Sequence, residues 1–203
     1  MPDVDKVLRI AHIITRLIVG GAQENTLITC RLLAKRGHDV TLITGPALGP
    51  EGELLNQTKG QGYKVVVVDR LRRAINPYND IVSYFQIKKL LRELQPDIVH
   101  THSAKAGILG RFAASSLKGK WAENLPAVVH TIHGLAFHPY QSKLLNRFYI
   151  AIERPTAKRT DFFVSVADAM TTQATAVGIG SPERYVTAYS AIDEEDFLEP
   201  ISQ

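Results

Sequence analysis

Short apolar runs alternate with helical patterns along the whole chain. Val7–Ile14, Val40–Thr44 and Tyr63–Val68, the last with four consecutive valines, read as strands. So do Asp97–Thr101, Ala127–Ile132, Phe162–Val166 and Tyr185–Ala188. Between them the spacing predicts helices at Ala22–Arg36, Asp80–Leu94, Ala104–Leu117, Gln141–Lys158 and Asp168–Val177. The first stops at Gly37, where a C-terminal glycine belongs, and the second stops before Pro96. In Asp80–Leu94 a helical stripe runs through Ile81, Tyr84, Phe85, Ile87, Leu90, Leu91 and Leu94. Strands apolar on both faces, each followed by a helix, predict an α/β fold: a Rossmann-like three-layer α/β/α domain with a parallel sheet of about six or seven strands. Ligands of such sheets bind beyond the carboxyl ends of the strands. The loops to search are therefore Thr15–Gly21, Gly45–Gly52, Asp69–Asn79, His102–Lys105 and His133–Tyr140.

Length and composition narrow the class. The 203 residues, 45% apolar and 22% charged, suit one domain spanning 1–203, able to build a core without staples. One cysteine, Cys30, excludes a disulfide framework or a Cys-rich zinc module. No run of about 18 apolar residues and no signal-peptide core are found, so a cytoplasmic, non-spanning protein is expected. Net charge is +4, but Asp193–Gln203 holds five of the 20 acids and no base. The first 192 residues thus set 24 bases against 15 acids, a net of +9. Lys105–Arg159 is densest, with nine bases and two acids, Glu123 and Glu153. Such a bias suits an anionic partner, whether nucleic acid, phospholipid headgroups or a phosphorylated substrate; a merely solvated surface has the same composition.

Three loops hold polar residues that could do chemistry. Gly20-Gly21 lies between the first strand and helix, where free N–H groups of the helix can bind an anion. The pair equally serves a tight turn, and it forms neither a Walker A loop nor a GxGxxG fingerprint. His100 and His102 share one face of a strand, and His130 and His133 end the next. A metal site would need a third ligand at suitable spacing, which is not evident, so histidines that bind substrate or pack in the core are expected instead. Asp3-Val4-Asp5 precedes the first strand and is discounted as a metal motif; Ser115-Ser116-Leu117-Lys118 lacks the partner motifs of a serine enzyme.

Together these segments resemble the N-terminal domain of a glycosyltransferase family 4 enzyme of the GT-B fold. The resemblance rests on Gly20-Gly21-Ala22-Gln23, Arg36-Gly37-His38-Asp39-Val40, Arg72-Arg73-Ala74-Ile75-Asn76-Pro77, and Pro96-Asp97-Ile98-Val99-His100-Thr101-His102-Ser103-Ala104-Lys105-Ala106-Gly107 continued by Gly110-Arg111. His130-Thr131-Ile132-His133-Gly134 and Tyr189-Ser190-Ala191-Ile192-Asp193 complete it. It is closest to the branch that builds capsular, exopolysaccharide, lipopolysaccharide and other lipid-linked glycans. By resemblance, this chain is the acceptor-binding half of a retaining enzyme that transfers a sugar from a nucleotide-sugar to a lipid-linked or polysaccharide glycan. No metal or other cofactor is implied. Gly20 and Gly21 would face the donor diphosphate, and His133 would be the catalytic contact to the donor sugar. His102 and Lys105 would line the acceptor side, with Arg72 and Arg73 suited to the acceptor's phosphate.

The departures have consequences. Ser190-Ala191 stands where the family has Asn-Gly, and no Glu is followed by another eight positions on, so the donor-holding Glu-x7-Glu motif is absent. The expectation is half an enzyme, inactive alone, lacking a C-terminal donor-binding domain or partner subunit. Two other readings stay open. One is a non-catalytic module binding a phosphorylated lipid or glycan at an anionic membrane surface, for which Gln141–Lys158 supplies a basic, apolar-sided helix. The other is a nucleotide-binding regulator of flavodoxin-like architecture. Nucleic acid is not an expected partner.

Overall fold

The computed structural model describes residues 6–47, 52–117 and 126–190. Its elements are β1 (Arg9–Ile14), α1 (Gly21–Lys35), β2 (Asp39–Thr44), β3 (Lys64–Val67), α2 (Pro77–Leu94) and β4 (Ile98–His102). There follow α3 (Ala104–Ser115), β5 (Ala127–Ile132), α4 (Lys143–Ala157), β6 (Phe162–Ser165), α5 (Asp168–Ala176) and β7 (Tyr185–Thr187). Two 3₁₀ turns, Leu55–Thr58 and Pro182–Arg184, have no counterpart in the sequence reading. Asp3-Val4-Asp5, Lys118, Glu123 and the acidic run from Asp193 lie outside the described residues, as do Ala191–Asp193 of the last family segment.

The seven strands are all parallel, in the order β3-β2-β1-β4-β5-β6-β7. The chain moves outward from β1 through β2 to β3, then crosses back to lay β4 on the other side of β1. This reversal creates a switch point between β1 and β4, the place where such sheets bind ligands. Alternation along β1 assigns its two faces. Ile10 and Ile14 pack with Leu27 and Cys30 of α1, while Ala11 and Ile13 pack with Ile87 and Leu91 of α2 and Ala113 of α3. A third cluster, around Ile132, Phe163, Ala174 and Ile179, covers the β5–β6 end.

Local chemistry explains the boundaries. After α1, Gly37 takes a left-handed φ of 86°; its N–H donates to Ala34 and that of His38 to Leu33, a Schellman closure. α2 starts at Pro77, three residues before the expected start. Asn76 caps it, its side chain accepting from the Asn79 N–H, and proline suits the first helical position. The glycines of α3 answer a close approach. A Cβ at Gly107 would stand 2.6 Å from Cε1 of His130, and one at Gly110 would stand 2.8 Å from Cγ2 of Thr101. The helix therefore lies down on β4 and β5 nearer than side chains allow.

One expectation about α2 needs correction. Ile81 and Phe85 do not face the core; with Tyr78 they form an exposed stripe at helical spacing, each more than half accessible. Ile87 and Leu91 carry the buried face.

Candidate functional site

The site is built where the β1 and β4 loops meet at the switch point. Ser103 follows β4 with φ 62° and ψ 157°, a conformation that side chains rarely adopt. Its hydroxyl lies 2.7 Å from that of Thr15, which follows β1 and also accepts from the Ala106 N–H. These bonds tie the β1–α1 loop to the start of α3 and hold Ser103 in its strained pose. Sequence reasoning singled out neither Ser103 nor Thr15; a strained serine has no local signature.

Two concavities open on either side of this tie. A groove of about 750 Å³ has an apolar body that includes Ile18, Ile75, Ile108, Leu109, Phe148 and Ile152. Arg16, Arg73, Lys105 and Asp80 supply its charged lining. A smaller pocket of about 290 Å³ is lined by Ala22, the stretch from His130 to Phe137, and Glu153. Ser103 and Ala104 line both, while Gln23 reaches the first and Ala22 the second. The N-terminus of the 15-residue α1 thus stands between them. Gly20 is its N-cap and accepts from the N–H groups of Gln23 and Glu24. A Cβ at Gly21 would meet nothing within 4 Å, so the backbone there is open to close approach.

The histidines form a connected group. β1 and β4 place His12 opposite His100, and His102 falls on the same face two residues on. His12 Nδ1 lies 2.9 Å from His102 Nε2, and His102 Nδ1 lies 3.1 Å from His133 Nε2. His100 stacks on His102 with ring centroids 4.3 Å apart, and its Nε2 meets the Thr131 hydroxyl at 2.7 Å. Burial lowers His12 and His133 from the ordinary 6.5 to about 4. It also lowers His100, His102 and His130 well below 6.5, with neighbouring rings adding to the effect; for His130, Arg111 also contributes. The rings are therefore neutral at pH 7, each able to donate from one nitrogen and accept at the other.

His12 is the residue the sequence reading missed. It supplies the third imidazole that reading found wanting, and the ligand nitrogens of His12, His100 and His102 lie within 4.8 Å of one another. A divalent cation could be held there only by displacing bonds these rings already make to one another and to Thr131.

The expected residues divide between the two concavities. His133 lines the smaller pocket. Arg73 and Lys105 line the groove, but Lys105 is already committed: its ammonium contacts Asp80 Oδ1 at 2.7 Å and donates to the Ala74 carbonyl. Arg72 is exposed and donates to the Asp69 carbonyl, outside the groove lining. His102 does not line the groove. β4 runs one residue beyond its expected end, which keeps His102 buried in the imidazole chain.

A buried ion pair braces both concavities. Arg111 of α3 donates to Glu153 of α4 at 2.8 Å with the arginine wholly inaccessible. Burial lowers the guanidinium's pKa while the carboxylate opposes that shift. On α4 itself, Leu144 is 80% and Phe148 47% exposed, so its outer side is apolar as well as basic. No helix among the described residues is long and apolar enough to cross a membrane.

Comparison with known proteins gives this geometry a context. The UDP-Gal:alpha-D-GlcNAc-diphosphoundecaprenol alpha-1,3-galactosyltransferase of Escherichia coli is 35% identical over 160 residues. That match takes in 79% of this chain but 38% of the relative, so the chain spans well under half of that protein. A glycosyltransferase from Rickettsia africae superposes with a TM-score of 0.67 at 18% identity, covering 95% of this chain and 45% of that one. MurG of Acinetobacter baumannii gives 0.59 at 14% identity, covering 97% and 50%. The sucrose-phosphate synthase of Thermosynechococcus elongatus gives 0.65 at 13%, covering 93% and 49%. These structures share the fold. The profile described as Glycosyltransferase Family 4 matches residues 19–196, and the chain belongs to that family.

Proposed function

We propose that this chain is the acceptor-binding half of a retaining transferase, moving a sugar from a nucleotide-sugar to a glycan carried on a lipid diphosphate. The observation that supports it most is the groove. Its apolar body suits the first part of a lipid tail, and Arg16, Arg73 and Lys105 put positive charge beside it for the diphosphate. The relative from E. coli, by its name, acts on such a diphospholipid-linked sugar. Across Ser103, the N-terminus of α1 faces the donor diphosphate, and the neutral His133 hydrogen-bonds the donor sugar. These groups stabilise charge on the departing diphosphate, with neither an enzyme nucleophile nor a metal. The enzyme works on the cytoplasmic side, against the membrane that holds its acceptor. A C-terminal donor-binding domain or partner subunit completes the cleft, so the chain alone is inactive.

The test is transfer by a form that carries the second domain, assayed with a prenyl-diphosphate-linked N-acetylglucosamine and a panel of UDP-sugars. Product formation that survives EDTA, with retained anomeric configuration and loss on His133→Ala, is the expected outcome. Full activity of His133→Ala would remove the catalytic assignment. A second reading, a non-catalytic module at an anionic membrane surface, draws on Leu144 and Phe148 exposed beside Lys143 and Arg147 on α4. It predicts salt-sensitive co-sedimentation with anionic vesicles and no transfer in any form of the protein.

A further inference from the structure

We propose that His12 and His102 are positioning residues that fix which nitrogen of His133 carries its proton, so that His133 offers an Nδ1–H donor at the pocket. The idea rests on the reading of His133 as a ligand-contacting residue, but its test does not need that reading to hold.

The argument begins with proton counting. Each neutral imidazole has one N–H and one bare nitrogen, so each link in a chain of rings needs one of each. His102 uses both nitrogens, Nε2 toward His12 and Nδ1 toward His133. Only two arrangements satisfy both links. In the first, His12 donates from Nδ1 to His102, which donates from Nδ1 to Nε2 of His133. The proton of His133 is then on Nδ1. In the second every proton moves to the opposite nitrogen, and His133 donates inward from Nε2.

The far end of the chain decides between them. His12 is fully inaccessible, and its Nε2 has no hydrogen-bond partner among the described residues. The second arrangement places an N–H on that nitrogen, stranding a buried donor without an acceptor. The first leaves only a bare ring nitrogen there. Buried donors without acceptors are rarer in folded proteins than under-used acceptors, so the first arrangement wins. His100 does not compete, because its Nε2 is engaged with Thr131 and it joins the group by stacking alone. A buried nitrogen on β1 thus governs the polarity of a ring on the β5–α4 loop.

The measurement is a long-range proton–nitrogen correlation of the imidazole rings in the uniformly ¹⁵N-labelled chain at neutral pH, with no ligand added. His102 and His133 should each show a protonated Nδ1 and a bare Nε2. A protonated Nε2 on His133, or an even mixture, overturns the proposal. Two variants separate positioning from mere packing. His12→Asn keeps an N–H donor near the Nδ1 position and should preserve the tautomer of His133. His12→Asp puts an acceptor-only carboxylate there, so His102 should donate from Nε2 and His133 should convert to an Nε2–H donor. An unchanged Nδ1–H tautomer in a folded His12→Asp shows that His12 does not set it, and sinks the idea. If His12→Asp does not fold, the parent and His12→Asn spectra still decide. Titration with a UDP-sugar reads the functional assignment separately, since His133 shifts only if it contacts the ligand.

Discussion

The two concavities flanking Ser103 use opposite electrostatic devices within a few residues of each other. On the histidine side, burial strips the rings of charge, and polarity survives only as oriented N–H groups and lone pairs. On the groove side, Arg73 and Lys105 are basic side chains lining an apolar trough. The difference teaches that burial sets the character of the histidine half. Histidine would be a cation at acid pH on the surface, yet the sheet holds it neutral. A neutral donor suits a sugar hydroxyl, whereas a cation strengthens the contact with a diphosphate.

The largest expected effect comes from removing what both halves share. Arg111→Met leaves Glu153 in the wall of the histidine-side pocket with its charge uncompensated, and loosens α4, which also walls the groove. The variant should lose about 3–5 kcal/mol in urea unfolding. Adding Glu153→Leu should restore most of that loss, since a buried pair replaced by apolar residues is often neutral. A single variant as stable as the parent would mean the two helices are held by other contacts.

Acid should then break one half and spare the other. The histidine values are depressed in the fold, so the unfolded chain binds protons first and stability falls as pH drops below 6.5. For His12 and His133 the window closes near pH 4. His12 alone should contribute a loss of about 1.4 kcal/mol per pH unit within it. Denaturation midpoints at pH 7, 6 and 5 measure this, and His12→Phe should flatten the profile. Anion binding at the groove, measured where the chain stays folded, should not follow the histidine profile; if it does, the division fails.

The comparison also separates what the sequence made visible from what it hid. All seven strands were legible because parallel strands are apolar on both faces, and α1 announced its end through Gly37. The start of α2 was written in Asn76-Pro77 but lay beyond the apolar stripe used to find it. The histidine chain was hidden for a stronger reason. His12 and His102 are 90 residues apart, and only the crossover that sets β4 beside β1 makes them neighbours. A lone histidine in the apolar run Ile10–Ile14 was the single available clue. Arg111 stood in the family segment and Glu153 was one of two acids in the basic stretch, but their pairing across 42 residues was hidden.

Lys105 tests whether the groove's cations are all alike. Its Asp80 partner and the Ala74 carbonyl pin the start of α3 to the segment leading into α2, and its side chain is only 15% accessible. Lys105→Met should therefore cost about 1.5–3 kcal/mol of stability, the range for hydrogen bonds to charged groups. Loss of binding without loss of stability would mean that the lysine leaves Asp80 when a ligand arrives.

Arg73 is the contrasting case and the smallest expected structural effect. It is exposed and lines the groove, so Arg73→Ala should change stability by no more than about 0.5 kcal/mol. Its contribution should appear only with a ligand present, as an affinity for a short prenyl diphosphate reduced about tenfold, or 1.4 kcal/mol. The corresponding prenyl alcohol should bind both forms equally, because it offers no charge to the guanidinium. Raising the salt concentration should narrow the difference for the diphosphate, since a charge at an open rim is screened where a buried one is not. If the alcohol and diphosphate lose affinity together, Arg73 acts by shaping the groove, and the cationic half of the comparison reduces to Arg16 and Lys105.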